Sequence, residues 1–397
     1  MARRTVPADP ALDQDPGIGA RLRYWRKRRG RSQRVLAGLA GISQPYLSQI
    51  ESGDRPIERR STLVALANAL EVSVPELTGR VGDPTSPGKA SVTAHVPAVR
   101  EALIMREAGE QLPNSPVGDV DAALAARGRW DFATAAPMLP GLLASATGAE
   151  MVQVASVAAG VLSYAGYEDL AREATRLGVR AAQDTGDPAW QGTADLNYLW
   201  ALPVETRVTP MLAARAADAI QPYIGEPRTR RAYGMLHLQT ALSSAVAKMS
   251  DAALAHLDEA DEAARSLGEP EDWDDLAQSC FGPTNVGIFR LAVLLELGDT
   301  GRAIEESAAI APNRIPLLFK QVFFHLDMMA LLAGAGRDNE AVTAFLNAEA
   351  VCPQFVRLRP TARDTVAVIL NRTRRRSVTG PLRRAAEAVG LHDLLEA

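Results

Sequence analysis

Apolar residues recur along this chain at spacings of three and four, and no segment alternates with period two long enough to read as a strand. The pattern predicts an all-α protein. It is tightest between Ser32 and Glu51, where Ser32 is placed to cap a short helix whose apolar face is Val35, Leu36, Leu39 and Ala40. Gly41 follows, at a turn that only a residue without a Cβ takes cheaply. Ile42 plugs the angle between two helices, and Ser43 is placed to cap the second. On that second helix Leu47 and Ile50 point inward, leaving Gln44, Pro45, Tyr46, Ser48 and Gln49 on the outer face.

From about residue 93 onward a longer period appears. An apolar helix, a short turn and a second helix with a small-residue face recur in ARGRWDFATAAPMLPGLL from Ala126 and YAGYEDLAREATRLGVRA from Tyr164. The same unit returns in AKMSDAALAHLDEADEAA from Ala247, LELGDTGRAIEESAAI from Leu295 and LAGAGRDNEAVTAFLNAEAVCP from Leu332. Turns at Gly128, Gly166, Ser250, Gly298 and Gly336 stand about 38 to 48 residues apart, with one more unit expected near Val204–Thr209. Such a period predicts stacked helical hairpins, each burying its face on its neighbours. The units resemble tetratricopeptide repeats, in a degenerate form without the regular aromatic positions.

The outer face of the 44–52 helix has a recognisable chemistry. A glutamine amide offers a donor and an acceptor side by side, matching the N6/N7 edge of adenine in a major groove. Gln44 and Gln49 are therefore the candidate base readers, with Ser48 beside them. Pro45 sits in the first turn, where its missing N–H costs nothing, and faces outward toward a thymine methyl. Ser32, Gln33, Ser43 and Tyr46 are placed to meet phosphates.

The stretches RSQRVLAGLAGIS, YLSQIESGDR and LVALANALEVSVPEL resemble the XRE/Cro–repressor class of helix-turn-helix domains over residues 17–78. The resemblance implies a five-helix, lambda-repressor-like domain that binds double-stranded DNA. It also implies an ion pair between Arg26 and Glu51, and phosphate contacts from the Ser52–Arg55 loop, Arg55 included, and from Arg60. Pro45 departs from the class, which often has a polar residue there. With the strings FGPTNVGIFRLAVLLELGD and RDNEAVTAFLNAEAVCP, the whole chain is similar to a group of actinomycete transcriptional regulators with a helical-repeat domain behind the DNA reader.

Charge sharpens this picture. The chain of 397 residues carries a net charge of −4, but residues 1–80 hold 14 Lys+Arg against 8 Asp+Glu while the remainder holds 29 against 39. Residues 21–34 contain eight basic side chains and no acid, a footprint suited to a phosphate backbone. Arginine outnumbers lysine 39 to 4, so the clustering is informative and the choice of arginine is not. The length allows two or three domains, and the 47% of hydrophobic residues allow a large buried core. Two cysteines without nearby ligand partners, no secretory pattern at the N-terminus and no long apolar run predict a cytoplasmic protein with no membrane span.

Nothing in the sequence predicts catalysis. His95, His237, His256, His325 and His392 are scattered outside metal spacings, so neither metal nor cofactor is expected. The GIGARL string at Gly17 lacks the third glycine and preceding strand of a dinucleotide loop. The expected layout is a disordered leader over 1–16, the helix-turn-helix domain over 17–78, a linker over 79–92 and a TPR-like solenoid over 93–397. The solenoid is expected to dimerise the chain on a two-fold operator and to hold a small-molecule or peptide effector. Asn197, Tyr233, His237, Asn285, Arg290 and His325 are the candidate pocket residues. The alternative is a TPR-like protein- or peptide-binding scaffold, or a quorum-sensing-type receptor, with a secondary role on DNA. The Arg372–Arg376 run reads as a solvated helix end.

Overall fold

Two serine hydroxyls set the entry of the two central short helices. Ser32 Oγ accepts the Val35 N–H at 3.2 Å, starting α2 (Gln33–Ala40), and Ser43 Oγ accepts the Tyr46 N–H at 3.3 Å, starting α3 (Gln44–Ser52). Between them Gly41 adopts φ 67°, a left-handed conformation that closes α2 and turns the chain. They stand in a bundle with α1 (Ile18–Arg28), α4 (Arg60–Leu70) and α5 (Val74–Thr78), the last begun by a reciprocal Ser73–Glu76 capping box. Leu22, Leu36, Leu47, Ile50, Leu66, Leu70 and Leu77 form its core, each at most 2% exposed. Val35 and Leu39 do not share that core, contrary to the expected apolar face. They are 52% and 60% exposed, because α2 turns its Leu36–Ala37–Ala40 stripe toward α3 and α4.

This computed structural model describes residues 17–79, 87–110, 119–202, 208–270, 280–357, 359–373 and 378–396. The expected leader, most of the 204–209 unit and Arg374–Arg376 lie outside them. The described residues are helical with no strand. Helix α6 (Pro87–Thr93) occupies ground expected to be linker, with α7 (Val96–Glu107) close behind it.

Contacts divide the chain into Gly82–Asp327 on one side and Met1–Val81 with Met328–Ala397 on the other. In Gly82–Asp327, α8 (Val120–Gly128), α9 (Phe132–Ala135) and α10 (Leu139–Ser145) pack with α11 (Gly148–Ala165) and α12 (Glu168–Thr185) around one core. A second core gathers α13 (Pro188–Trp200), α14 (Thr209–Ile220), α15 (Pro227–Val246), α16 (Ser250–Leu267) and α17 (Pro283–Leu297), with α18 (Thr300–Ser307) against α17. Short turns make neighbours of consecutive helices. Gly166 and Gly298 take the left-handed turns at φ 89° and 82°, but two other turns use Trp130 (φ 61°) and Lys248 (φ 63°) rather than the expected Gly128 and Ser250.

The expected single domain over 93–397 is therefore not one compact body. Helix α19 (Leu318–Gly334) crosses the division, and α20 (Asp338–Val351), α21 (Pro353–Arg357), α22 (Pro360–Thr373) and α23 (Gly380–Ala388) belong with α1–α5. Their amphipathic pattern continues that of the preceding helices, so periodicity alone does not mark the change. Two polar side chains fasten them. Asp364 of α22 accepts the Ile18 N–H at 2.9 Å, capping α1 from a distance where Gly17 offers no side chain. Arg372 donates from Nε to the Asp54 carbonyl at 2.8 Å and from Nη1 to the Ala333 carbonyl and the Asp338 carboxylate, at 2.9 and 2.7 Å.

Burial pushes the Asp364 carboxyl up to about 6, against the lowering pull of the Ile18 N–H, Arg363 and Arg21. A carboxyl that protonates more readily folded than unfolded favours the fold below its unfolded value near 4, and that advantage is lost as pH rises through about 6. Asp364→Asn keeps an acceptor for Ile18 and should match or exceed the parent in stability at neutral pH. Hydrogen exchange of the α1 amides between pH 4 and 7 tests this. An unaltered pH dependence in the variant would clear Asp364 of that role.

Candidate nucleic-acid interface

The outer face of α3 carries Gln44, Pro45 and Gln49 exposed and Ser48 half-buried. Behind it runs a chain of side-chain hydrogen bonds. Gln44 Nε2 donates to Gln33 Oε1 at 2.9 Å, and Gln33 Nε2 donates to Glu51 Oε2 at 2.9 Å. Glu51 also accepts two bonds from Arg26, Nε to Oε1 at 2.6 Å and Nη2 to Oε2 at 2.7 Å. The bond to Glu51, more than its charge, holds the Arg26 guanidinium above its usual pKa. Arg26 Nη1 donates further to the Arg31 carbonyl at 3.0 Å.

This arrangement gives the residues unequal parts. Gln33, expected at a phosphate, spends its amide at both ends inside the chain and acts as a relay. Gln44 is held by one N–H and keeps a second N–H and its Oε1 free of that bond, a donor and an acceptor side by side. The hydroxyls of Ser32 and Ser43 accept cap bonds yet retain their own protons as donors.

Tyr46 departs from the expected outer face. It is half-buried, its ring lies under the Arg55 guanidinium at 4.8 Å, and burial, reinforced by Glu58, pushes its hydroxyl up to about 12. The phenol faces the Pro56 carbonyl at 3.5 Å. Arg55 itself bonds Glu58 at 3.0 Å, and Arg60 is half-buried in the first turn of α4.

The basic run of residues 21–34 is also divided. Arg29 donates to the carbonyls of Leu70 and Glu71, both at 2.9 Å, and Arg31 reaches the Ala69 carbonyl and, at 2.9 Å, the Glu71 carboxylate. Together they satisfy the last carbonyls of α4, where a helix end favours cations. Arg23, Lys27 and Arg34 stand exposed. Part of what reads in sequence as a phosphate footprint is therefore internal fastening.

Residues 18–78 match the family model of a helix-turn-helix domain. The match spans α1 to α5, with α2, the Gly41 turn and α3 at its centre. In helix-turn-helix domains generally the second helix is the one presented to the major groove of DNA, and α3 holds that position here. No curated protein and no solved structure matches the chain.

Sequence reasoning on the helix-turn-helix domain passed over Asp364 and Arg372, the latter placed in a solvated run. Their bonds cross more than 300 positions of sequence, and no local spacing signals them.

The six candidate pocket residues fall in Gly82–Asp327 but do not form one cluster of hydrogen bonds. Tyr233 donates to Glu259 at 2.8 Å and its ring lies 4.3 Å from that of His237 at a tilt of 47°, and His237 Nδ1 meets His256 Nδ1 at 3.1 Å. Burial, then the His256 charge, pulls His237 down to about 4. Asn285 is fully buried and donates to Met235 Sδ at 3.2 Å. Arg290 instead pairs with Asp261 and Glu306, each at 3.6 Å, which accounts for its charge without a ligand. Asn197 is buried, and the His325 ring lies edge-on to Phe324. Among the described residues no group of His, Cys, Asp or Glu is arranged to hold a metal, and no helix is long and apolar enough to cross a membrane.

Proposed function

We propose that this protein is a transcription regulator of the XRE type that binds double-stranded DNA through α3. Gln44 and Gln49 read bases, and Ser32, Ser43, Arg55 and Arg60 meet the backbone. The observation that carries the reading is the outward α3 face with the Gln44 amide oriented by Gln33. An amide fixed before contact loses little conformational freedom on meeting adenine.

A single five-helix reader covers few base pairs, so the protein works as a homodimer on a two-fold operator with half-sites about one helical turn apart or a multiple of it. The paired helices behind the reader are TPR-like and sense an effector. The protein acts in the cytoplasm and is not an enzyme.

A gel-shift assay on the promoter of its own gene tests the reading. Gln44→Ala and Gln49→Ala are each expected to cost about 1–3 kcal/mol on the specific site and little on unrelated DNA. Binding should also weaken steeply with added salt. Equal losses on all sequences would remove the two glutamines from base reading, and no shift at all would remove DNA from the proposal.

A further inference from the structure

Of the four lysines in this chain, Lys320 alone is buried, at 3% exposure. Its Nζ has no hydrogen-bond partner among the described residues. It stands in the first turn of α19, where the helix dipole opposes a cation and favours an anion. Of the two other groups acting on it, the buried Cys280 thiol favours the ammonium and, more weakly, a second buried cation, Arg127, opposes it. Burial, the dominant influence, pulls the Lys320 amine down only to about 8, so it is still chiefly an ammonium at neutral pH.

The surroundings of this ammonium are aromatic. Nζ lies 5.4 Å from the Phe289 ring centroid and 5.8 Å from that of Trp200. Trp200 is 36% exposed, so one wall of the site meets solvent, and its indole N–H is fixed to Gln239 at 3.1 Å. Two further polar atoms are buried without partners among the described residues, Asn285 Oδ1 and Asn197 Nδ2. Asn285 is one helical turn before Phe289, and Asn197 is one turn before Trp200. A desolvated ammonium costs more than contact with two rings returns, and the two buried amide atoms without partners among the described residues add to the deficit. An anionic partner would offset it.

We propose that Lys320 is the charge-reading group of a ligand site that takes a small organic anion. The ligand's apolar body packs against Trp200 and Phe289, and its carboxylate or phosphate meets the ammonium. The effect of such a ligand on DNA rests on the effector-sensing reading above, whereas its binding does not.

Titration calorimetry of the full chain with benzoate, phenyl phosphate and neutral benzamide tests the site. Fragments of this size are expected to bind with Kd on the order of 1 mM, the anions at least about tenfold tighter than benzamide. The better of the two anions identifies the headgroup. Lys320→Met should abolish that preference while leaving the unliganded protein as heat-stable as the parent, since a buried charge without a hydrogen-bond partner among the described residues is removed. Trp200→Phe, at an exposed wall, should weaken both anions and retain the preference. Binding of no anion, equal binding of benzamide, an unchanged preference in Lys320→Met, or marked thermal destabilisation by that substitution would each overturn the proposal. A gel shift with the bound anion then separates the two readings. Binding without any change in DNA affinity keeps the site and removes effector sensing.

Discussion

Glu51→Ala is expected to destabilise the helix-turn-helix unit by about 3 kcal/mol, the lower part of the range for breaking a buried ion pair. The carboxylate is 3% exposed and accepts from Arg26 twice and from Gln33 once. Removing it leaves the Arg26 guanidinium, 12% exposed, with only the Arg31 carbonyl in this network, and strips Gln33 of its acceptor. That remaining bond and the trace of solvent access place the expected loss low in the range. Chemical denaturation followed by hydrogen exchange of α1 and α3 amides measures it. The double variant Arg26→Met with Glu51→Leu should regain much of the loss, because a desolvated pair can be replaced by apolar packing. It should not regain DNA affinity, since Gln44 would still lack the anchored Gln33. A loss below about 1 kcal/mol for Glu51→Ala would rank the pair with exposed ones.

Gly19→Ala is expected to be nearly as damaging, by a different route. A Cβ at this position would lie 2.1 Å from the Ile50 carbonyl oxygen and 3.1 Å from its carbon. Both are backbone atoms of α3, so no side chain can swing aside, and α1 must move off α3. Overpacking of this kind costs about 1–3 kcal/mol and at times more. It would also disturb the geometry that brings Arg26 onto Glu51. Gly38→Ala is the matched control, since a Cβ there meets nothing within 4 Å. Ala is favoured over Gly in a helix interior by about 0.5–1 kcal/mol, so Gly38→Ala should raise stability. Melting curves of the two variants should move in opposite directions. Similar shifts would mean that close approach at Gly19 is not what the glycine serves.

The all-α fold and the α2–Gly41–α3 corner were legible because their signals are local. Caps at Ser32 and Ser43, a left-handed glycine and inward Leu47 and Ile50 all lie within twenty positions. Val35 and Leu39 misled because an eight-residue helix buries a narrower stripe than its apolar residues suggest. Gly19 read as part of a failed dinucleotide loop, when its conformation matters less than the atom facing it. The basic run was legible as charge but not as fastening, since Arg29 and Arg31 reach helix-end carbonyls some forty positions away. Lys320 and Trp200 are a polar and an aromatic position on separate helices. Their conjunction depends on how α13, α17 and α19 come together.

The bond from Ile18 to Asp364 also orders events in time. Its two ends are 346 residues apart, so at about 5–20 residues per second a ribosome needs roughly 20–70 s to make the second after the first. Through that interval the newborn reader must stand on its own leucine core, with the first amide of α1 still open to water. A chain released early would emerge with the whole helix-turn-helix domain and without the fastening made by α22.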